Sequence, residues 1–362
     1  TQGKILFPQN ITNLISQNAY VYVLATGMLL CILTGGNIDL SVGSVVCFVG
    51  AVGGVFMEKM GMPMPIAVIL MLLLGAVIGA WQAVWIAYVH VPPFITTLSG
   101  MFVFRGLSNV VLGGQTLPIK NQAFVVLFGG GANCYVPDIL GGGEGMNRLA
   151  LVVGVVACVI FVVVTMKGYL NRKKKGYETG NAAAMYMKMI LICAVILFIT
   201  YKLAKYKGIP TSLVWVLIVV LIYGYITSKT TIGRYFYAVG GNEKATKLSG
   251  INTERVYFLA YTNMGLLSAL AGMLTIARLT SAQPTYGQNY EMDAIGSCFI
   301  GGASAYGGTG TVPGVIIGAT LMGIINQGMS IMGTDQNMQK VVKGLVLLAA
   351  VIFDVVSKKR SE

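Results

Sequence analysis

Apolar residues run along this chain in long unbroken stretches rather than in alternation. Eleven runs stand out, at residues 14–34, 40–57, 65–88, 94–114, 148–167, 187–206, 210–228, 256–276, 292–306, 312–332 and 341–356. A run of about 20 residues, at about 1.5 Å per residue, matches the roughly 30 Å of a bilayer's hydrocarbon core. Continuous runs predict helices, which satisfy their own backbone in lipid, and not the alternating strands of a barrel. The run 292–306 is short for a full crossing. The expectation is an all-α membrane protein, a polytopic helical bundle of roughly ten to twelve spans, forming a single transmembrane domain over residues 1–362.

Polar interruptions carry the remaining information. Between the runs 210–228 and 256–276 lies a basic island, residues 231–251, inside the loop 229–255. Within it, residues 242–249 predict a short helix, with Asn242 as its N-cap and Gly250 as its stop. Most loops between spans only turn the chain around. A short helix held there presents a shaped surface to something outside the lipid.

Residues 35–43 interrupt apolar sequence with Asn37, Asp39 and Ser41. An acidic residue this close to a span is a functional candidate, because burying it costs several kcal/mol. It also reads as a helix cap following the stop at Gly35 and Gly36, and the two roles can coexist. Trp81, Gln82 and Trp85 suit an interfacial belt, with Gln82 a candidate for a pathway. Arg105, on one face with Thr97 and Met101, calls for a carboxylate, a backbone carbonyl or a substrate as partner. The Gly-x-x-x-Gly patterns at 50–54, 75–79 and 314–318 predict close helix packing. Residues 301–314, rich in glycine, lack the Gly-Lys-Ser/Thr of a phosphate loop and predict a tight hairpin. The loop 115–147, with Cys134, Asp138 and Glu144, reads as a lid or a docking surface.

Composition sharpens this picture. Hydrophobic residues make up 56% of the chain and charged ones 10%, at a mean hydropathy of +0.76. A soluble domain carries about 25% charge. The net charge of +13 does not indicate nucleic acid, because lysine and arginine cluster at 167–175, 229–255 and 358–360, just beyond apolar runs, as in cytoplasmic loops. Placing those segments inside puts residues 1–13, 115–147, 277–291 and 334–339 outside, provided that 292–306 crosses. A cytoplasmic start would then require one more span before Thr1. The six cysteines offer no external disulfide pair, and a single histidine, His90, excludes a site built from several histidines. No metal site is expected.

The segments 35–43, 91–98, 238–251 and 293–312 together resemble the membrane-spanning permease subunits of bacterial ABC sugar importers, in matching order over nearly the whole chain. The ribose, xylose and multiple-monosaccharide branch is the nearest, and the insert around 168–210 resembles its xylose and multiple-sugar members. The resemblance implies a bacterial inner (plasma) membrane protein, with a cytoplasmic C-terminus, that is not an enzyme. It implies cytoplasmic ATP-binding subunits, a second permease copy, identical or a sister, and an external sugar-binding protein. No cofactor is expected on this chain, which has no Walker A sequence; ATP and Mg²⁺ belong to the partner ATPase. Residues 229–255 then become the coupling loop, with Gly240, Gly241, Asn242, Ala245, Ser249 and Gly250 at the ATPase contact.

A neutral sugar asks for hydroxyl-compatible partners rather than paired charges. Asn37, Asp39, Thr96, Thr97, Gln283 and Asn326 are the pathway candidates. An ion-coupled secondary transporter is the alternative, and it would place acidic residues at the bilayer midplane. Only Asp39, Asp293 and Asp354 come near, all at the ends of expected spans. An intramembrane protease using Ser304 and His90 has no supporting motif.

Overall fold

The computed structural model describes residues 3–141, 146–177 and 181–359; Glu144 and Arg360 lie outside them. Turn-forming residues divide the apolar runs into α1 (Pro8–Gln17), α2 (Ala19–Leu33) and α3 (Val42–Gly54), the last continued by a π-helical turn, Val55–Lys59. Next come α4 (Met64–Ala87) and α5 (Pro93–Leu112), each with a proline in its first turn, where no backbone donor is needed. They are followed by α6 (Gln122–Leu127), α7 (Arg148–Lys174), α8 (Ala182–Ala204) and α9 (Thr211–Lys229). The island holds α10 (Thr231–Gly241) and α11 (Glu243–Leu248). The chain continues with α12 (Thr253–Arg278), α13 (Tyr290–Ile300), α14 (Val312–Ile331) and α15 (Gln336–Lys359). Two short strands, β1 (Leu117–Pro118) and β2 (Ser281–Ala282), pair antiparallel with Leu117 opposite Ala282.

Among the described residues, eight helices are long and apolar enough to cross a membrane, and α1 with α2 as one broken span would make a ninth. The difference from eleven expected runs has physical causes. Asn18 breaks the run 14–34, its amide donating to the Leu14 carbonyl at 2.7 Å. The run 292–306 yields only the 11 residues of α13, about 16 Å of helix. Helix α15 is long enough at 24 residues but carries Lys340, Lys343 and Asp354 along its length.

The chain divides into two compact units, residues 14–134 with 211–362, and residues 1–13 with 135–210. In the smaller unit α7 and α8 pack together, with Gly154 against Thr200. Both start on capping asparagines, Asn147 accepting from the Ala150 amide and Asn181 from the Ala183 amide. Asp138 accepts from the Arg148 amide at 2.9 Å and so caps α7 as well.

The larger unit is built around α2 and α12. Fourteen of the fifteen residues of α2 are buried, so it has no face left for lipid. Helix α12 packs along α4, where Gly75 and Gly79 meet Gly265 so closely that a methyl group on Gly75 would lie 2.5 Å from the Gly265 carbonyl oxygen. Gly314 and Gly318 bring α14 against Gly301 and Ser297 in the same way. These are the small-residue contacts expected of helices packed in lipid.

Two stretches lie between helices inside this unit. Residues 34–41 link α2 to α3, and residues 283–289 lead from β2 into α13. Just after the first stretch, Gly43 in the opening turn of α3 meets Gly287 of the second, where a methyl group on either would overlap the carbonyl oxygen of the other. Gly287 is also left-handed, at φ +74°. After α13, the glycine loop 301–311 returns to the end of α2: the Gly308 amide donates to the Leu33 carbonyl at 3.1 Å. Residues 283–300 thus connect one end of the unit, at β2, to the other, at Leu33, with helix over the second part only.

Gly43→Ala and Gly287→Ala should each cost about 1–3 kcal/mol through overpacking, with Gly287→Ala the worse because of its backbone. Gly106→Ala in α5, where nothing lies within 4 Å, should be neutral or stabilising by up to about 1 kcal/mol. Heating followed by size-exclusion chromatography would measure all three; equal midpoints would contradict the Gly43–Gly287 contact.

Candidate functional site

The island folds as two helices. Thr230 caps α10 by accepting from the Gly233 amide at 3.1 Å. Asn242 both ends α10 and caps α11, its side chain accepting from the Ala245 amide at 3.0 Å. At the far end Gly250, at φ +83°, closes α11 with two bonds, Gly250 amide to Lys247 carbonyl and Ile251 amide to Thr246 carbonyl. That pair is the Schellman closure, which needs a residue at ease in the left-handed region. The short helix is therefore fixed at both ends by the residues the sequence marks.

The two helices differ in exposure. Gly240 sits among backbone atoms, where a side chain would strike the Leu33 carbonyl and the Gly308 amide. The Tyr237 hydroxyl donates to the Gly310 carbonyl at 2.9 Å, so α10 holds the glycine loop. In α11 only Thr246 is buried; its hydroxyl bonds to the carbonyls of Ala238 and Asn242, both at 2.8 Å. Gly241, Ala245, Ser249 and Gly250 are exposed, and Leu248 is 90% exposed. Beside α11 lies a cavity of about 180 Å³ lined by Asn37, His90, Glu243, Glu254 and Tyr257, with the Tyr257 hydroxyl donating to Glu243 at 3.1 Å.

Asp39, Arg105 and Asp354, all in the larger unit, bond to backbone groups. Asp39 accepts from the Ser41 amide (2.8 Å) and hydroxyl (2.7 Å), and Ser41 continues to Gln82. The carboxylate is thus a cap for the turn into α3, and Gln82 is buried within the network. Trp81 and Trp85 face outward. Arg105 donates to the carbonyls of Pro284 and Tyr286 and holds the segment that leads into α13. Asp354 accepts from the Ala305 amide at 3.0 Å and fastens α15 to the glycine loop. In that loop Ser304 accepts from the Tyr306 amide at 3.1 Å.

The largest polar cluster centres on Asp293, buried in α13. Lys343 of α15 approaches both its oxygens, at 2.9 and 3.0 Å. The Tyr20 hydroxyl donates at 2.8 Å and the Asn326 amide at 3.4 Å, and the Tyr20 ring stacks on Tyr290 at 3.6 Å. Sequence reasoning missed this pair. The signal was the one acid of the run 292–306, Asp293, and the one base of the run 341–356, Lys343, since a charge in lipid calls for a partner.

Hydrogen bonds join none of the six pathway candidates to another among the described residues. Asn37 donates to the Thr34 carbonyl, beside α11. The hydroxyls of Thr96 and Thr97 turn back to the carbonyls of Pro92 and Pro93. Gln283 is half-buried at the start of the segment 283–289. Asn326 reaches Asp293, while its own buried carbonyl oxygen has no partner among the described residues.

Residues 10–351 match the family described as branched-chain amino acid transport system / permease component. The chain is 35% identical over 361 residues to the xylose transport system permease protein of Escherichia coli K12, covering 100% of this chain and 88% of that one. The xylose transport system permease protein of Haemophilus influenzae is 36% identical over 99% of this chain and 92% of its own length. The ribose import permease protein of Escherichia coli K12 is 34% identical, over 95% and 85%. No solved structure shows significant similarity.

Lys343→Met should destabilise the protein by about 3 kcal/mol, because it leaves Asp293 buried without its cation. Adding Asp293→Asn should recover most of the loss. Thermal midpoints of the single and double variants measure both; a double variant no better than the single would show that the ion pair is not the source.

Proposed function

The chain belongs to the branched-chain amino acid transport system / permease component family, and on that premise we propose that it is the membrane-spanning subunit of an ATP-driven importer of a monosaccharide, a pentose first of all. It is a transport component rather than an enzyme. The names of its xylose and ribose relatives support the sugar. The observation that carries the coupling is α11: a helix closed at both ends, with Thr246 its one buried side chain, Glu243 and Lys247 reaching Tyr257 and Glu254 of α12, and Leu248 turned out of the protein. An apolar residue so placed on a basic island suits a groove on a cytoplasmic ATP-binding subunit. Asn242 and Gly250 shape the helix, Ala245 and Ser249 stand on its surface, Gly240 lets α10 sit against the end of α2, and Gly241 leads from α10 to the cap of α11.

With α11 in the cytoplasm of a bacterial cell, its plasma membrane crossed many times, the C-terminal end of α15 lies on the same side. Asp354, at the glycine loop, supports that placement. The external end is then the one with β1 and β2, where a sugar-binding protein would dock, and a second permease copy would complete the pathway. Nucleotide closure moves α11 and, through α10, the end of α2 and the glycine loop, and tilts α9 and α12. The free energy enters as different affinities of the outward and inward states for nucleotide. The sugar meets hydroxyl-compatible groups, among which Asn326 has an oxygen to offer; Asn37, Asp39, Thr96, Thr97 and Gln283 have their side-chain or local backbone roles as well. An ion-coupled transporter is disfavoured because Asp39, Asp293 and Asp354 each serve a structural bond.

Leu248→Asp should abolish co-purification with the ATP-binding subunit and lower ATP-dependent uptake of D-xylose at least tenfold, without changing the thermal midpoint. Asn242→Ala should weaken both less, in keeping with a cap of about 1 kcal/mol. If association and uptake survived Leu248→Asp and also replacement of residues 243–249 by a glycine–serine linker, the coupling assignment would be wrong.

A further inference from the structure

At the end of the larger unit away from α11, a cavity of about 390 Å³ opens between residues 285–290 and the first two turns of α15. That volume lies at the small end of the roughly 300–1,000 Å³ of small-molecule sites. Its lining is unusual for such a site. Gln288, Asn289, Gln336, Gln339, Lys340 and Lys343 all border it, within a chain that has only 10% charged residues.

Lys343 stands on its inner side and is mostly buried. Asp293 takes the positive charge from behind, through both oxygens. An ammonium has three donors, so with two directed at Asp293 one is left for a ligand, and the pair as a whole is neutral. Gln339 uses an amide hydrogen on the Thr334 carbonyl at 2.9 Å, which orients its oxygen. Gln288 and Gln336 have no side-chain partner among the described residues and offer both donor and acceptor. Two further features keep the cavity in shape. Arg105 holds the 284–286 backbone by its carbonyls, and the stacked Tyr20–Tyr290 pair fixes the start of α13.

Neutral donors and acceptors around a charge-compensated floor, with Lys340 exposed at the edge, suit vicinal hydroxyl groups. We propose that this cavity is a low-affinity subsite for a neutral polyhydroxylated ligand, the place where the sugar first contacts the permease from outside. The assignment rests on the reading of the chain as a sugar permease, and it adds residues that reading did not contain. None of Gln288, Gln336, Gln339 or Lys343 was among the pathway candidates.

The test uses the complete transporter, with its ATP-binding subunits and binding protein, in proteoliposomes. A thiol introduced by Gln336→Cys should react with a membrane-impermeant maleimide, and D-xylose or D-ribose at tens of millimolar should slow that reaction at least threefold, while glycine betaine at equal osmolality should not. Gln288→Leu with Gln336→Leu should lower sugar uptake about tenfold, the loss expected for about two hydrogen bonds, with association of the ATPase unchanged. A wild-type complex that takes up neither D-xylose, D-ribose nor D-glucose with ATP would overturn the sugar-permease reading and this subsite with it. Wild-type uptake combined with unprotected labelling and near-normal uptake by the double variant would overturn the subsite alone. Protection by D-xylonate but not by D-xylose would also overturn it, as Lys340 and Lys343 would then be binding an anion.

Discussion

Backbone against backbone is the constraint on which the larger unit depends. At Gly43 and Gly287 the first turn of α3 and the non-helical segment 283–289 cross with no space for a methyl group. In lipid an irregular segment survives only if its polar groups find partners within the protein. Here the partners are supplied nearby: Asp39 and Ser41 on one segment, Arg105 on the carbonyls of the other. Bulk at the crossing would push both segments apart and expose those groups. The glycine content, 47 residues, is therefore less a matter of flexibility than of approach distance at a few contacts.

Much of this was legible in order along the chain. Periodic and continuous apolar runs report on helices because local composition decides whether a segment can sit in lipid. The cap and stop of α11 were legible for a similar reason: Asn242 and Gly250 act on backbone groups within three or four residues. The Gly-x-x-x-Gly faces at 75–79 and 314–318 marked contacts, although not which helix each would meet.

What was not legible depends on distant partners. Helix α10 lies in a segment read as polar loop; its buried face, Gly233, Phe236 and Val239, makes sense only once α2 and α9 are in place. Helix α13 begins at Tyr290, after a segment whose Pro284 and Tyr286 carbonyls are held by Arg105, far away on α5. The hydroxyls of Thr96 and Thr97 each bond one turn back along their own chain, a local contact that a count of polar residues does not report. Asp293 and Lys343 stand fifty positions apart, and only the fold makes one the reason for the other.

Helix α15 ties the two ends of the unit together. Lys343 and Asp354 are about three turns apart on it and so share a face, and both are bonded to the same stretch of chain. Lys343 holds Asp293 near the start of α13, and Asp354 holds Ala305 in the loop that follows. That loop in turn touches Gly36, Leu33 and α10. A displacement of α10 therefore reaches the glycine loop directly and α15 through a single charged bond. Because α15 is one uninterrupted helix, the displacement would be carried along it to Lys343 and the wall of the cavity beside residues 285–290. Glycine contacts and two carboxylate bonds together hold α10, the glycine loop, α13 and α15 to one another.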